Sequence, residues 1–233
     1  MSSIAAHFAR LRRALLAQDC LLCAAPGGDG LLCAACAAEL PQLAPGCPQC
    51  ALPGTGGELC GRCLREAPAY DRTVACWRYA FPLDRLVQAL KYGNRLALAD
   101  WFGRALAAKT AQREVDLIVP MPLHRRRLRE RGFNQAMEIA RRLRGIGRLA
   151  PGALVRLKDT TPQTGLSDRE RAQNVRGAFA ATVPLSGLRI ALVDDVMTTG
   201  ASLHEAARAL KRAGAADVEN WVVARATGPA VLH

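Results

Sequence analysis

The sequence predicts an α/β domain, with a parallel sheet flanked by helices, preceded by a small cysteine-rich domain. From residue 64 onward, short apolar runs alternate with segments of helical periodicity, and eight of the nine cysteines lie between residues 20 and 63. A chain of 233 residues, 50% of them hydrophobic, can bury one sizeable core. We place the domains at 1–19 for an N-terminal helical segment, 20–66 for the cysteine-rich unit and 67–233 for the α/β domain.

The N-terminal segment has apolar residues at helical spacing, Ile4, Phe8, Leu11 and Leu15, with arginines between them. A short docking helix explains this pattern, and a helix on a membrane surface is the alternative. No apolar run reaches the roughly 18 residues of a membrane-spanning helix, and the N-terminus lacks the apolar region and cleavage site of a signal peptide. We therefore expect a cytoplasmic protein without a transmembrane segment.

The cysteines form four C-x-x-C pairs, and these pairs are an internal repeat. Each cysteine of the first two pairs recurs 27 positions later, and so do four residues near them: Pro26, Gly27, Gly30 and Leu32 recur as Pro53, Gly54, Gly57 and Leu59. Two such pairs supply the four thiolates of a tetrahedral zinc site. We predict two structural zinc ions, the first bound by Cys20, Cys23, Cys33 and Cys36 and the second by Cys47, Cys50, Cys60 and Cys63.

Other arrangements of these cysteines stay open at this stage. The repeat favours sequential pairing over a cross-braced scheme without excluding the latter, and four disulfides are disfavoured because no export signal is present. Zinc binding would supply the folding energy that so small a unit lacks. The ninth cysteine, Cys76, has no partner pair and is interpreted as a core thiol.

The elements of the α/β domain follow from periodicity. Apolar runs predict strands at 73–81, 116–122, 189–196 and 218–226. Helical spacing predicts helices at 83–92, at 135–143 and at 201–213, the first and last of which end at glycines. Strands and helices that alternate in this way form a parallel sheet covered on both faces, and its ligands bind beyond the carboxyl ends of the strands.

The positive charge is confined to the α/β part of the chain. Residues 1–63 contain equal numbers of basic and acidic side chains, so the whole net charge of +12 comes from residues 64–233. This distribution predicts that the larger domain binds anions.

The stretch LVDDVMTTGAS, residues 192–202, combines two acids with a polar turn at the end of a predicted strand. Backbone amides at the start of the following helix favour a phosphate, which Gly200 lets approach closely. Asp194 and Asp195 can accept hydrogen bonds from a vicinal diol. A sugar 5-phosphate with free 2- and 3-hydroxyls satisfies both halves, and the alternative is a solvated turn with an ordinary helix cap. The predicted contacts are Asp194, Asp195, Thr198, Thr199, Gly200, Ala201 and Ser202.

The same stretch resembles the 5-phosphoribosyl 1-diphosphate (PRPP) motif of the type I phosphoribosyltransferases. Two further segments, VPMPLHRRRLRERGFNQAMEIA at 119–140 and RLKDTTPQTGLSDRERAQNVRGAF at 156–179, are similar to signature blocks of the ComF family of competence-associated, phosphoribosyltransferase-like proteins, which includes GntX. With LKYGN at 90–94 and the cysteine pairs, the resemblance spans almost the whole chain. It implies a type I phosphoribosyltransferase fold behind a double zinc ribbon.

The resemblance also implies roles for further residues. A loop at 122–134 would hold the diphosphate through Arg131, Gly132, Asn134 and Gln135, with Lys91 adding a cation. The three arginines at 125–127 are interpreted as a solvated or nonspecific anion-binding face. A flap that closes over PRPP would contain Thr160, Gln163, Leu166, Arg171 and Asn174, the alternative being a surface loop. Catalysis would rest on Asp194, Asp195, Arg131 and Arg171.

The implied reaction is pentosyl transfer from PRPP with magnesium, in DNA uptake during natural transformation or in nucleotide salvage. Two alternatives remain: a non-catalytic competence factor that binds single-stranded DNA with competence or recombination proteins, and a regulator that senses PRPP. The acceptor is not encoded by any recognisable motif. The aromatic side chains that could stack on its ring are Trp77, Tyr79, Tyr92 and Trp101, although core packing explains most of them equally well.

Overall fold

The computed structural model describes residues 19–26, 30–158 and 173–228. Its main sheet has five parallel strands in the order β1-β7-β6-β2-β3. They are β1 (Arg72–Arg78), β2 (Leu117–Pro120), β3 (Arg148–Leu149), β6 (Arg189–Met197) and β7 (Asp217–Arg225). The predicted parallel sheet is therefore confirmed. A separate antiparallel pair, β4 (Leu154–Arg156) and β5 (Phe179–Ala181), was not predicted.

The helices of the described chain are short to medium in length. They are α1 (Ala34–Ala38), α2 (Gly61–Arg65), α3 (Leu83–Tyr92), α4 (Ala97–Thr110), α5 (Arg125–Arg131), α6 (Gln135–Ala140) and α7 (Ala201–Arg212). The helices predicted at 83–92, 135–143 and 201–213 correspond to α3, to α6 with a 3-10 turn, and to α7. The segment 122–134 was predicted as a loop, and this was wrong because α5 occupies its middle. The N-terminal helical segment predicted at 1–19 lies outside the described residues, except for Asp19.

Each face of the sheet carries its own hydrophobic cluster. One cluster contains the buried faces of α3 and α4, and the other contains that of α7 together with β4 and β5. Helices thus cover both faces, as predicted. Among these helices none is both long enough and apolar enough to span a membrane.

The cysteine-rich segment is joined to the sheet by hydrogen bonds and by shared cores. Thr73 at the start of β1 donates its amide to the Pro48 carbonyl, and Gln42 pairs with Trp77 as an isolated bridge. Cys20 packs in the cluster of α3 and α4, whereas Cys47, Cys50, Cys60 and Cys63 pack in the cluster of α7.

Candidate functional site

The two acids predicted to bind a diol lie at the carboxyl end of β6, the central strand of the sheet. Asp195 is 3% exposed, and its Oδ2 forms an ion pair of 2.9 Å with Nζ of Lys91 in the last turn of α3. Asp194 is half-buried and accepts the Asp195 amide on Oδ1. Oδ2 of Asp194 takes no part in this hydrogen bond.

Burial and the charges of neighbouring side chains set the protonation states of Asp194 and Lys91. Burial, and next the neighbouring charge of Asp195, raise the pKa of Asp194 to about 7. Burial by itself would lower the pKa of Lys91, but the attraction of Asp195 outweighs it and raises that pKa. Lys91 is therefore a firmly charged ammonium, and Asp194 is a carboxyl that gains from a bound cation or from hydroxyl donors.

The polar turn at residues 198–202, called the phosphate turn below, connects β6 to α7. Gly200 has φ +86°, so it adopts the left-handed conformation that favours glycine. The Thr199 hydroxyl accepts a hydrogen bond from the amide of Ala201 at 3.3 Å. This contact is of the kind expected if the turn were an ordinary helix cap. Thr198, Thr199 and the first two residues of α7, Ala201 and Ser202, are partly exposed.

The reason given for Gly200 from the sequence was wrong. A Cβ at this position would lie 2.7 Å from Cε of Met197 and 3.0 Å from Oη of Tyr70, so the missing side chain faces protein atoms instead of an approaching phosphate. Gly200 is also buried. Asp195 is buried as well, because its carboxylate packs against Lys91.

The predicted diphosphate loop begins next to the acids. Met121 donates its amide to the Val193 carbonyl, one residue before Asp194, and Asn134 donates Nδ2 to the Met121 carbonyl at 3.0 Å. Oδ1 of Asn134 accepts the amides of Ala136 and Met137 in the first turn of α6, so this side chain caps the helix and closes the loop. Its direct contact with a ligand remains a prediction.

Arg131, Gly132 and Gln135 form the far side of this loop. Nη1 of Arg131 donates to Oε1 of Gln135 at 2.6 Å, and Gln135 is itself buried. Gly132 ends α5 with φ +80° and has open space where a Cβ would be. The guanidinium of Arg131 is therefore held in place by Gln135, and the backbone next to it at Gly132 is accessible.

A chain of contacts brings the predicted site residues together. The guanidinium of Arg131 lies 5.4 Å from the ring centroid of Tyr92, and Lys91, the preceding residue, pairs with Asp195. Tyr92 is 76% exposed. The diphosphate loop, the end of α3 and the acid pair thus meet at the carboxyl edge of the sheet, where ligands of such folds bind.

Four of the five predicted flap residues, Thr160, Gln163, Leu166 and Arg171, lie outside the described residues. The fifth, Asn174, is half-buried. The described ends of the segment are held together by β4 and β5, by Lys158 donating to the Arg176 carbonyl, and by Glu205 accepting the Gly177 amide.

The aromatic residues considered as acceptor contacts divide into two groups. Trp77 and Trp101 stack with ring centroids 5.2 Å apart, and Phe102 packs edge-on against both, so these rings belong to the core. Tyr79 is partly buried. Tyr92 is the most exposed ring of the four.

Two residues at the site were not predicted from the sequence. Arg225 at the end of β7 is 2% exposed, and its guanidinium donates to the carbonyls of Met197 and Thr198 at the phosphate turn. Tyr70 is 2% exposed and packs against Gly200. An arginine that ends an apolar strand was a detectable signal, since a buried cation requires partners.

The cysteines form two groups with the predicted composition. Within each group the sulfur atoms lie within 4.8 Å of one another, and all nine cysteines are free thiols. Zinc bound by four thiolates at about 2.3 Å requires sulfur separations of about 3.8 Å. The measured separations of 3.7 Å for Cys23 and Cys33, and 3.6 Å for Cys50 and Cys60, fit this geometry. The chain therefore has two zinc-binding sites, each made of four cysteines.

The two zinc sites differ in burial. In the first site Cys23 is exposed and Cys33 and Cys36 are half-buried, whereas the four ligands of the second site, Cys47, Cys50, Cys60 and Cys63, are all buried. Cys76 is half-buried in the cluster of α3 and α4, and burial raises the pKa of its thiol to about 12. Its interpretation as a packed thiol fits this position.

We expect a chelator to remove the two zinc ions at different rates. The first site should release its ion at least roughly tenfold faster, because exposed ligands open without disturbing the core. Release can be followed with a colorimetric zinc indicator, and Cys23→Ser should eliminate the fast phase alone. A single phase that carries both ions would contradict the difference in burial.

Comparisons with known proteins agree with both parts of the chain. A family model described as a double zinc ribbon domain matches residues 11–64. A model described as a phosphoribosyl transferase domain matches residues 128–230. The cysteine-rich region is thus a double zinc ribbon, and the parallel sheet with its flanking helices is a phosphoribosyltransferase fold.

Individual relatives extend over most of the chain. It is 35% identical over 172 residues to competence protein F of Haemophilus influenzae, an alignment that covers 68% of this chain and 75% of that protein. It is 37% identical over 167 residues to the DNA utilization protein YhgH of Escherichia coli strain K12, covering 68% and 74%. A solved purine phosphoribosyltransferase from Pyrococcus horikoshii is similar with 23% identity and a TM-score of 0.34, covering 55% of this chain and 73% of that one.

Proposed function

Since the chain belongs to the ComF family of competence-associated proteins, we propose that it binds PRPP and acts as a phosphoribosyltransferase in DNA uptake or nucleotide salvage. The observation that carries this proposal is the meeting of the acid pair, the phosphate turn and the Arg131 loop at one edge of the sheet. These groups match the diol, the 5-phosphate and the diphosphate of PRPP. We also propose a cytoplasmic location and the domain boundaries given above.

In this proposal each group of residues holds one part of PRPP. Asp194 and Asp195 accept the ribose hydroxyls, and the amides and hydroxyls of the phosphate turn hold the 5-phosphate. Arg131 binds the diphosphate beside the open backbone of Gly132, while Gln135 and Asn134 fix the loop. Lys91, held by Asp195, adds a second cation.

Magnesium fits the same donors. Asp194 offers a carboxylate oxygen of the hard kind that magnesium prefers, and the ion keeps most of its shell as water and substrate oxygens. When bound, it would neutralise charge on the diphosphate.

The transfer step needs stabilisation of a departing diphosphate. The bond from C1 of ribose to the diphosphate breaks, the electron pair leaves with the diphosphate, and a nitrogen nucleophile of the acceptor forms the new bond and then loses its proton to solvent. Arg131 and Lys91 stabilise the negative charge that develops on the leaving group. The proposed flap, with Arg171, Thr160, Gln163, Leu166 and Asn174, excludes water from the reacting centre.

Titration calorimetry of the zinc-loaded chain with PRPP and magnesium tests this proposal. Binding with one site per chain is expected, and ribose 5-phosphate should bind more weakly because it lacks the diphosphate. Release of diphosphate should then be assayed across nucleobases and single-stranded DNA. Absence of PRPP binding would refute the proposal, whereas binding without turnover with any acceptor would support the PRPP-sensing alternative.

We propose the exposed ring of Tyr92 as the stacking surface for the acceptor. The Arg131 guanidinium lies 5.4 Å from the centroid of this ring, and the preceding residue, Lys91, pairs with Asp195. A π-face accepts any nucleobase, so this position accounts for an acceptor site without a sequence-specific motif.

A second candidate function is binding of single-stranded DNA by α5. The name of one relative, DNA utilization protein YhgH, concerns DNA. Helix α5 presents Arg125, Arg126 and Arg129 on its exposed side, with Arg126 also paired to Glu130 at 2.9 Å. This basic surface is next to the proposed PRPP site, so both functions are compatible.

Replacing Arg125, Arg126 and Arg127 by alanine is expected to weaken single-strand binding and to flatten its salt dependence. The variant makes fewer phosphate contacts, so its binding releases fewer counterions from the DNA. PRPP affinity should stay within about twofold, since these residues lie outside the proposed PRPP contacts. Fluorescence anisotropy at several salt concentrations measures the effect. The matched control replaces the exposed Arg144, Arg148 and Arg212, which removes the same charge elsewhere. Equal losses in both triple variants would show that net charge, and not α5, binds the DNA.

A further inference from the structure

Arg225 connects the second zinc site to the phosphate turn. Its Nε donates to the Cys50 carbonyl at 2.8 Å, and its Nη1 donates to the carbonyls of Met197 and Thr198 and to that of Ala226. Cys50 is a zinc ligand, and Thr198 is the first residue of the phosphate turn. One buried guanidinium therefore holds both segments at a fixed separation.

A second set of contacts joins the same two regions through Tyr70. The side chain of Gln49, between zinc ligands Cys47 and Cys50, donates to the Tyr70 carbonyl at 3.1 Å. The Gln49 carbonyl accepts the hydroxyl of Thr73 at 2.6 Å. Tyr70 in turn packs its hydroxyl end against Gly200. The turn that carries Cys47 and Cys50 thus supports the phosphate turn at two points.

Zinc fixes the donor and acceptor geometry at this junction. A zinc ion held by Cys47 and Cys50 would fix the backbone between them, and the Cys50 carbonyl in this segment accepts Nε of Arg225. Four thiolates and one zinc ion would carry a net charge of about −2, which is a favourable neighbour for the buried guanidinium of Arg225. We expect loss of the ion to free the Cys50 backbone and so to weaken the hydrogen bond from Nε of Arg225 to the Cys50 carbonyl.

We propose that occupancy of the second zinc site controls the conformation of the phosphate turn, and thereby its affinity for phosphate, through Arg225. Arg225 is a positioning residue in this proposal, because it acts on the turn through backbone carbonyls. The first zinc site provides the contrast, since Cys20 packs in the other hydrophobic cluster, with Trp77 and α3. The effect on PRPP affinity rests on the proposed function, whereas the effect on the turn does not.

The experiment compares three variants with the wild-type chain. Cys23→Ser removes a ligand of the first zinc site, and Cys63→Ser removes a ligand of the second. Arg225→Lys keeps all eight cysteine ligands but replaces the planar guanidinium by an ammonium, which cannot donate to the same set of carbonyls. Zinc content comes from elemental analysis, and folding is followed by thermal melts. Hydrogen exchange of the peptide that covers residues 197–203 reports on the turn, and titration calorimetry with PRPP and magnesium reports on binding.

Cys63→Ser and Arg225→Lys are expected to speed exchange in this peptide at least fivefold and to weaken PRPP binding at least tenfold. Cys23→Ser, which also loses one zinc ion, should leave both quantities within twofold of wild type. Equal behaviour of Cys23→Ser and Cys63→Ser, or an unchanged turn in Arg225→Lys, would overturn the proposal. Faster exchange with no PRPP binding by any chain would leave the coupling standing and refute the proposed function.

A reciprocal measurement on the wild-type chain covers the case in which the second-site variants do not fold. Coupling between two sites is mutual, so PRPP must raise the zinc affinity of the second site by the factor by which zinc raises PRPP affinity. Competition with a chelator at equilibrium, with and without PRPP, should show at least a tenfold shift for the second zinc and none for the first. Equal shifts, or no shift for a chain that binds PRPP, would overturn the coupling.

Discussion

Asp194→Asn is expected to weaken PRPP binding at pH 8 at least tenfold, about 1.4 kcal/mol, without unfolding the protein. The substitution keeps the shape of the side chain and removes the charge that would accept the ribose hydroxyls. Titration calorimetry measures the affinity, and Glu114→Gln is the matched control, because it removes an exposed acid near the opposite edge of the sheet. Unchanged affinity in a folded Asp194→Asn chain would mean that the acid pair does not bind the ligand.

The pH dependence gives a second reading of the same variant. The pKa of Asp194 is raised to about 7, so the unbound protein carries an extra proton here between pH 4 and 7, and ionisation costs stability as the pH rises through that window. The stability of Asp194→Asn relative to wild type should therefore increase from pH 5 to pH 8. Below pH 7 the PRPP affinity of the wild type should fall more steeply than that of the variant, because only the wild type protonates Asp194. The phosphates of PRPP titrate in the same way in both experiments.

Asp195 requires a different expectation from its neighbour. Its removal leaves the ammonium of Lys91 without its partner in a largely buried position, so Asp195→Asn should lose about 1–3 kcal/mol of stability as well as affinity. The two acids look equivalent in the sequence. The structure separates them, because only one faces a cation of α3.

The elements that the sequence predicted well share one property: their signal is local. Apolar runs identified β6 and β7, and helical spacing followed by a glycine identified α3 and α7. The two zinc sites were identified because the cysteine spacing repeats at a constant offset. In each case the residues that determine the structure lie within one element or one repeat.

The features that the sequence did not predict depend on distant contacts. Arg225 and Cys50 are 175 positions apart, so the position of this arginine at the end of an apolar strand could indicate burial but could not identify its partner. Lys91 was assigned by resemblance as a phosphate ligand, and its pairing with Asp195 emerges only from the packing of α3 on the sheet. Asn134 is an exception, since an asparagine directly before a helical segment is a readable cap signal.

Gly200→Ala is expected to destabilise the protein by about 2–4 kcal/mol, although it adds a single methyl group. Part of the loss comes from the left-handed backbone at φ +86°, which costs a side chain about 1–2 kcal/mol. The remainder comes from packing, because the new methyl would lie 2.7 Å from Met197 and 3.0 Å from Tyr70. Both neighbours are buried and have little room to move.

Gly187→Ala separates these two contributions. Gly187 has φ +76° and nothing within 4 Å of a Cβ, so Gly187→Ala should lose only the backbone contribution, about 1–2 kcal/mol of unfolding free energy. Urea unfolding of both variants measures the difference, which is the cost of pressing the methyl against Met197 and Tyr70. Met197 also accepts a hydrogen bond from Arg225 through its carbonyl, so a displaced Met197 would disturb the phosphate turn. The folded Gly200→Ala chain should therefore bind PRPP more weakly than Gly187→Ala. Equal stability of the two variants would show that the phosphate turn relaxes around the added methyl group, and would refute the packing contribution.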